Sequence, residues 1–374
     1  MTSLIEGTKM RAIGLLAGVG TLLREAQEAG FDVVGNVDVR SYFRAAPWVW
    51  ESNFDSPFIS NLDDLENAPD DWYEADLALG HPPCGRQSSL GFGGVPRELS
   101  DEERQRRHDR RASDQGLLPL FTALVRKFRP RVFALDNLPK ILKKAAPKEW
   151  WESELPDYRL TFLTIVNWDY GCCQKRPRLW VIGTRSKKAF SFRPTKTRID
   201  GPKTALEAFG DLPWEPWIDV PELAHVHRSP AARPIGGFWC QNPEGERYFI
   251  KHLTELASGF ISIPSGMNWP YISQKGRPTH KMGRVRVHPD RPAATVTGGG
   301  GGGDNLLHPL TGWPLTPRER ARLMGWPDDF VLWNSSEPFD DTVHRKLIQI
   351  TGKAVPSEFP RYLIPQLRRH LRRS

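Results

Sequence analysis

The chain has 374 residues, a formal net charge of +8, 39% hydrophobic residues and 26% charged residues. This composition excludes a disordered or collagenous chain, and its apolar runs are strand-sized, which argues against a membrane span. Four cysteines (Cys84, Cys172, Cys173, Cys240) without a C-x-x-C pair make neither a disulfide framework nor a structural zinc site, and they fit a reducing, intracellular setting.

The N-terminal "MTSLIEGTKMR" carries no signal-peptide pattern. "MRAIGLLAGVG" reads as a buried strand, Arg11 to Leu16, followed by a glycine turn. "TLLREAQEAG" is then an amphipathic helix stopped at Gly30, and "FDVVGNVDV" is the next strand. Strand, glycine turn, helix and strand make a βαβ unit that ends at Asp38. Further strands are predicted at 75–79, 131–136, 160–166 and 178–184, with a helix in "GLLPLFTALVRKFRP". The predicted fold class is α/β: a doubly wound, Rossmann-like mixed sheet with a second, smaller and irregular domain. The expected division is 1–190, completed by 340–374, against 191–339. In the latter stretch proline, glycine and tryptophan are frequent, and residues 298–303 are six consecutive glycines. Thr316, Pro317 and Glu319 open a helix as N-cap, first-turn proline and capping-box acid. The last segment reads as a turn and a helix.

In an open parallel sheet, ligands bind beyond the carboxyl ends of the strands. The turn Leu16, Ala17, Gly18 and Gly20 lets backbone approach a ligand there, and Asp38 is placed to accept from ribose hydroxyls. A short Gly-x-Gly is equally an ordinary tight turn. Cys84 follows the strand "DLALG" within "GHPPCGRQSSLG", where Pro82 and Pro83 restrict the backbone before it. A free thiol titrates near ~8.5, and a lone buried cysteine is more often inert than reactive. Read alone, Asp136-Asn137 is a strand-end turn, and Arg176 and Arg178 are strand charges. The net positive charge suits a polyanion such as nucleic acid, although part of it lies in "RRHLRRS".

Taken together, these blocks resemble the DNA (cytosine-5)-methyltransferases. "GHPPCGRQSSLG" is similar to the family's Gly-x-Pro-Pro-Cys-x-x-x-Ser loop, and "LLAGVG…EAGFDVVGNVDV" to its cofactor loop and acidic partner. "ALDNLPKIL" stands at the Glu-Asn-Val block, and "QKRPRLWVIG" at Gln-x-Arg-x-Arg. "RPAATVT" and "LTPRERARLMGWPDDF" follow, and "QITGKAVP" resembles the final Gln-x-Gly-Asn-x-Val-Pro block. The order of blocks is the family's, and only about 195–280 is left uncovered.

The resemblance implies a Cys84 thiolate that adds to carbon 6 of a flipped cytosine in double-stranded DNA, making carbon 5 nucleophilic toward S-adenosylmethionine. It implies that Asp136, protonated, holds the base at ring nitrogen 3, that Asn137 fixes the turn, and that Arg178 with Arg176 binds the base carbonyl. Gly85, Arg86, Gln87, Ser88 and Ser89 would close over DNA. Leu16, Ala17, Gly18, Gly20, Asp38, Val39, Asn61, Pro82, Lys353, Ala354 and Val355 would line the cofactor. Trp239, Arg247 and Lys251 are candidates for reading the DNA sequence. Cys172, Cys173 and Cys240 are read as passive, and no metal site is expected. A monomer in the cytoplasm of a bacterium or a phage-infected host is the expected setting.

Three departures stand out. Asp136 replaces a glutamate and is shorter by one methylene. Leu16 replaces an aromatic, and Asn61 an aspartate. Lys353 replaces an asparagine beside the transferable group. A lysine ~4 Å from a sulfonium is opposed by about 4 kcal/mol at an effective dielectric near ~20. A carboxylate on the transferred group reverses that sign, which points to carboxy-S-adenosylmethionine and 5-carboxymethylcytosine. The alternatives are a lysine turned to solvent or phosphate, a DNA-binding relative without catalysis, and a tRNA cytosine-5 methyltransferase.

Overall fold

The structure, a computed structural model, describes residues 9–38, 47–82, 117–197, 201–212, 238–241, 247–250, 285–287, 291–298, 306–308, 315–333 and 341–374. The chain divides into two compact units. The first comprises Met1–Asn167, Pro177–Lys196 and Ala354–Ser374, and the second Trp168–Arg176 and Thr197–Lys353. Among the described residues no helix is long and apolar enough to cross a membrane.

The first unit is built on a seven-stranded sheet: β1 (Arg11–Leu15), β2 (Asp32–Val37), β3 (Phe58–Ile59), β4 (Leu77–Gly80), β5 (Val132–Asn137), β6 (Arg159–Val166) and β7 (Pro177–Thr184). Their order is β3-β2-β1-β4-β5-β7-β6. The first five run parallel, and β7 pairs antiparallel with both β5 and β6. The sheet is therefore mixed, as expected. Strands β4 and β5 are buried at every position, because an inner strand of such a sheet is covered on both faces. That is why they read in the sequence as unbroken apolar runs.

Helix α1 (Thr21–Glu28) connects β1 to β2, and α2 (Leu117–Phe128) precedes β5. Phe121 of α2 meets Phe133 of β5 edge-on at 5.8 Å, and Phe133 meets Tyr158 at 5.2 Å. Each fully buried ring of this kind contributes about 1.5–3 kcal/mol by leaving water. The first unit is completed by α3 (Glu358–Arg373), which buries Phe359, Leu363, Leu367 and Leu371 at helical spacing. Arg361 of α3 pairs with the buried Glu25 of α1 at 2.9 Å, and Phe359 lies 5.4 Å from Trp180 of β7.

The second unit contains short strand pairs and helices. One pair is Phe238–Gln241 with Arg247–Ile250, antiparallel, and another is Val285–Arg286 with Leu306–Leu307, parallel. Helix Pro317–Leu323 starts on the predicted capping box: Glu319 N–H donates to Thr316 Oγ1 at 3.1 Å, and Thr316 N–H to Glu319 Oε2 at 2.7 Å. Helix Asp341–Lys353 ends this unit. The segment predicted as one turn and helix is thus two helices, and the unit boundary falls between Lys353 and Ala354.

Candidate functional site

The order of the sheet reverses between β1 and β4: from β1 the chain moves first to β2 on one side and later to β4 on the other. Such a reversal leaves a crevice beyond the carboxyl ends of the two strands. Here the ends are tied, with His81 N–H donating to the Leu16 carbonyl at 3.2 Å. The loop after β1 turns through left-handed backbone at Leu16 (φ 57°), Gly18 (φ 69°) and Gly20 (φ 90°). Leucine in this region is strained, and it is held by complete burial in the apolar core.

The Gly18 peptide is gripped on both sides by β2. Its N–H donates to Asp38 Oδ2 at 2.7 Å, and its carbonyl accepts from Asn36 Nδ2 at 2.9 Å. Asn36 and Asp38 alternate along the strand, so both reach the same side. Gly14 makes this contact possible: a Cβ there would lie 2.2 Å from Asn36 Oδ1. Asp38, the acid singled out from the sequence, is 1% exposed, with one oxygen set by the Gly18 N–H. Asn36 was missed; its only signal was a polar residue two positions before Asp38 in an apolar strand.

A second cluster lies at the next strand ends. Parallel register puts Gly80 opposite Leu135, so His81 falls beside Asp136. Antiparallel register puts Asp136 opposite Trp180, so Arg178 falls on the diagonal. His81 Nδ1 lies 3.1 Å from the Asp136 carbonyl and 3.0 Å from its Oδ2, and Arg178 Nε lies 3.4 Å from the same Oδ2. Asp136 is 0% exposed. Both approaches to Oδ2 are close but poorly aligned, so neither carboxyl oxygen has a hydrogen bond among the described residues. A buried carboxyl left in this way is costly unless a ligand supplies the missing partner. Asn137 Nδ2 donates to the Pro82 carbonyl at 3.1 Å, and its Oδ1 accepts from Leu138 N–H at 2.7 Å. That amide fixes the point at which the chain leaves β4, two residues before Cys84.

Other predicted residues have different surroundings. Arg176 belongs to the second unit and donates to the Val296 carbonyl at 2.7 Å. Gln174 clamps the second unit internally, donating to Leu323 O and accepting from Val296 N–H, each at 3.0 Å. Asn61 is an exposed cap of the 3-10 turn Leu62–Asn67, its Oδ1 accepting from Asp63 N–H at 3.3 Å. Lys353 closes its helix in the second unit, whereas Ala354 and Val355 are buried in the first. Cys172 and Cys173 are buried beside the Leu323 carbonyl. Cys84, Gly85, Arg86, Gln87, Ser88, Ser89, Val39 and Lys251 lie outside the described residues, as do the side chains of Trp239 and Arg247.

Residues 10–369 match the family described as C-5 cytosine-specific DNA methylase. The chain belongs to this family. Among its relatives is the type II methyltransferase M.DdeI of Desulfomicrobium norvegicum, 24% identical, covering 93% of this chain and 86% of the relative. Another is the type II methyltransferase M.SacI of Streptomyces achromogenes, 27% identical, covering 79% and 72%. Of solved structures, the Entamoeba histolytica methyltransferase EhMeth superposes with a TM-score of 0.55 at 13% identity, over 98% of each chain. The S. pombe Dnmt2 methyltransferase does so with 0.54 at 13%, over 97% of this chain and 99% of that one. These two likenesses show the shared fold.

A C-5 cytosine-specific methylase needs a methyl donor, and the residues at these strand ends can be weighed against that need. Asp38, set by the Gly18 turn at the carboxyl end of β2, offers an acceptor for ribose hydroxyls. Asp136 and Arg178 offer an acid and a guanidinium side by side for a heterocycle edge.

Proposed function

We propose that this C-5 cytosine-specific methylase transfers a one-carbon-linked group to carbon 5 of a cytosine flipped out of double-stranded DNA. The supporting observation is the Asp136 carboxyl: wholly buried, beside His81 and Arg178, and without a hydrogen bond of its own. A flipped pyrimidine presents hydrogen-bonding edges that fit such a group. Cys84 adds as thiolate to carbon 6 of the base, and the ring becomes nucleophilic at carbon 5. Asp136 holds the ring edge at nitrogen 3, and Arg178 the carbonyl where charge develops. Asn137 keeps Pro82, and so the approach of Cys84, in register. Loss of the carbon-5 proton and departure of the Cys84 sulfur restore the aromatic ring.

Asp38, with the turn from Leu16 to Gly20, holds an S-adenosylmethionine-type cofactor, which supplies an electrophilic carbon on sulfur. The second unit reads the DNA sequence, and the loop Gly85–Ser89 closes on the duplex. The type II relatives support a DNA-modifying role of the same kind in the cytoplasm.

Lys353 carries a finer reading. A cation beside the transferable group favours a cofactor bearing a carboxylate, hence carboxy-S-adenosylmethionine and 5-carboxymethylcytosine. One experiment separates these readings. The purified protein is given DNA with S-adenosylmethionine, with its carboxy derivative, or with both, and the nucleosides are weighed. Modified cytosine from the parent and none from C84S supports the reaction. A C84S variant as fast as the parent overturns it. A methyl product alone, unchanged in K353N, overturns the carboxymethyl reading.

A further inference from the structure

The methylase blocks assign no task to His81, yet it is the residue on which three strand ends converge. Its N–H donates to Leu16 at the end of β1. Its Nδ1 faces two oxygens of Asp136 at the end of β5, the carbonyl at 3.1 Å and Oδ2 at 3.0 Å. Its own chain continues through Pro82 to Cys84. The Asp136 carbonyl can only accept, so the hydrogen bond to it requires the proton on Nδ1 of His81. The side chain is 12% exposed, and that of Asp136 is 0% exposed. Little water is available to replace this contact.

We propose that His81 is a positioning residue for the transfer reaction. Its Nδ1–H holds the Asp136 backbone carbonyl while its ring stands against the carboxyl, opposite Arg178, so that the acid keeps one orientation toward the base. This rests on the reading of Asp136 as the base-holding acid. The effect is confined to the reacting geometry, because His81 acts through Asp136. Loss of the brace lowers kcat and leaves KM for DNA nearly unchanged. A displacement of ~1 Å in such a group costs on the order of a hundredfold in rate.

The test is a double-mutant cycle with a chemical rescue built in. Asparagine places an amide N–H close to the position of Nδ1, whereas glutamine places it near Nε2. H81N is expected to keep kcat within about fivefold of the parent, and H81Q and H81L to lose about 10- to 100-fold, with KM for DNA within about threefold. In the D136A background, H81Q and H81L are expected to cost less than about threefold more, because the group they position is gone. If H81L melts below the assay temperature, the H81N and H81Q pair carries the comparison. Equal losses for H81Q in the parent and D136A backgrounds overturn the inference alone, as does an H81N variant that folds but is as slow as H81Q. A D136A variant with full activity overturns the role of Asp136, and this inference with it.

Discussion

Replacing Asn137 by alanine removes a side chain that serves two backbone groups at once. The Pro82 carbonyl loses its donor at 3.1 Å, and the Leu138 N–H loses its acceptor at 2.7 Å. Asn137 is 2% exposed and Pro82 is buried, so water does not readily take over. A stranded buried polar group costs about 1–3 kcal/mol, and a lost partner for a half-buried one about 1 kcal/mol. The first unit should therefore lose about 2–4 kcal/mol against denaturant. The catalytic loss should be larger than this suggests, because Pro82 stands two residues before Cys84. A shift of ~1 Å at that point costs on the order of a hundredfold in the chemical step. Single-turnover transfer to DNA, followed alongside urea denaturation, measures both. N137D divides the effect, since its carboxyl still accepts from Leu138 but sets an oxygen against the Pro82 carbonyl. It should retain part of the stability and little of the rate. An N137A variant with the parent's single-turnover rate would refute the idea that this amide governs the approach to Cys84 proposed above.

Two further outcomes are expected. Gly20→Ala should lower stability by about 1–3 kcal/mol and weaken S-adenosylmethionine binding in calorimetry. The new Cβ would lie 2.6 Å from Phe54 and 2.8 Å from Trp50, at a φ of +90°; an alanine variant that binds as well as the parent would count against the turn. Burial pushes the His370 imidazole below its usual range, and the nearby charge of Arg131 acts the same way. The unfolded chain then takes up the proton first, so stability falls as the pH drops from about 6.5. Denaturation series between pH 7.5 and 5.5 should show that fall in the parent and a shallower one in H370Q.

Strands β4 and β5 were legible because inner strands are covered on both faces and carry unbroken apolar runs. Four predicted at 75–79, 131–136, 160–166 and 178–184 occupy Leu77–Gly80, Val132–Asn137, Arg159–Val166 and Pro177–Thr184. The pairing of Asp38 with the glycine turn was legible in part, since an acid ending an apolar strand stands near the turn that ends the neighbouring strand; the bond from Gly18 N–H shows that they meet. The short edge strand Phe58–Ile59 was not legible, since two residues carry no period. The partners of Asp136 were hidden as well. His81 and Arg178 reach it only through the registers of β4 with β5 and of β5 with β7, which are tertiary facts. Arg176 and Arg178 look alike in the sequence, but only Arg178 lies within β7, and its neighbour's guanidinium goes to Val296.

The first unit is assembled from three stretches of chain, the last of them beginning at Ala354. During synthesis, Glu25 of α1 and Trp180 of β7 must wait for Arg361 and Phe359 while 197–353 is translated. At ~5–20 residues per second that delay is on the order of ten seconds. Throughout it the nascent sheet stands uncovered where α3 will lie, an invitation to chaperones or to aggregation. A chain cut short before Ala354 lacks the helix that completes its first unit, however well its earlier strands have paired.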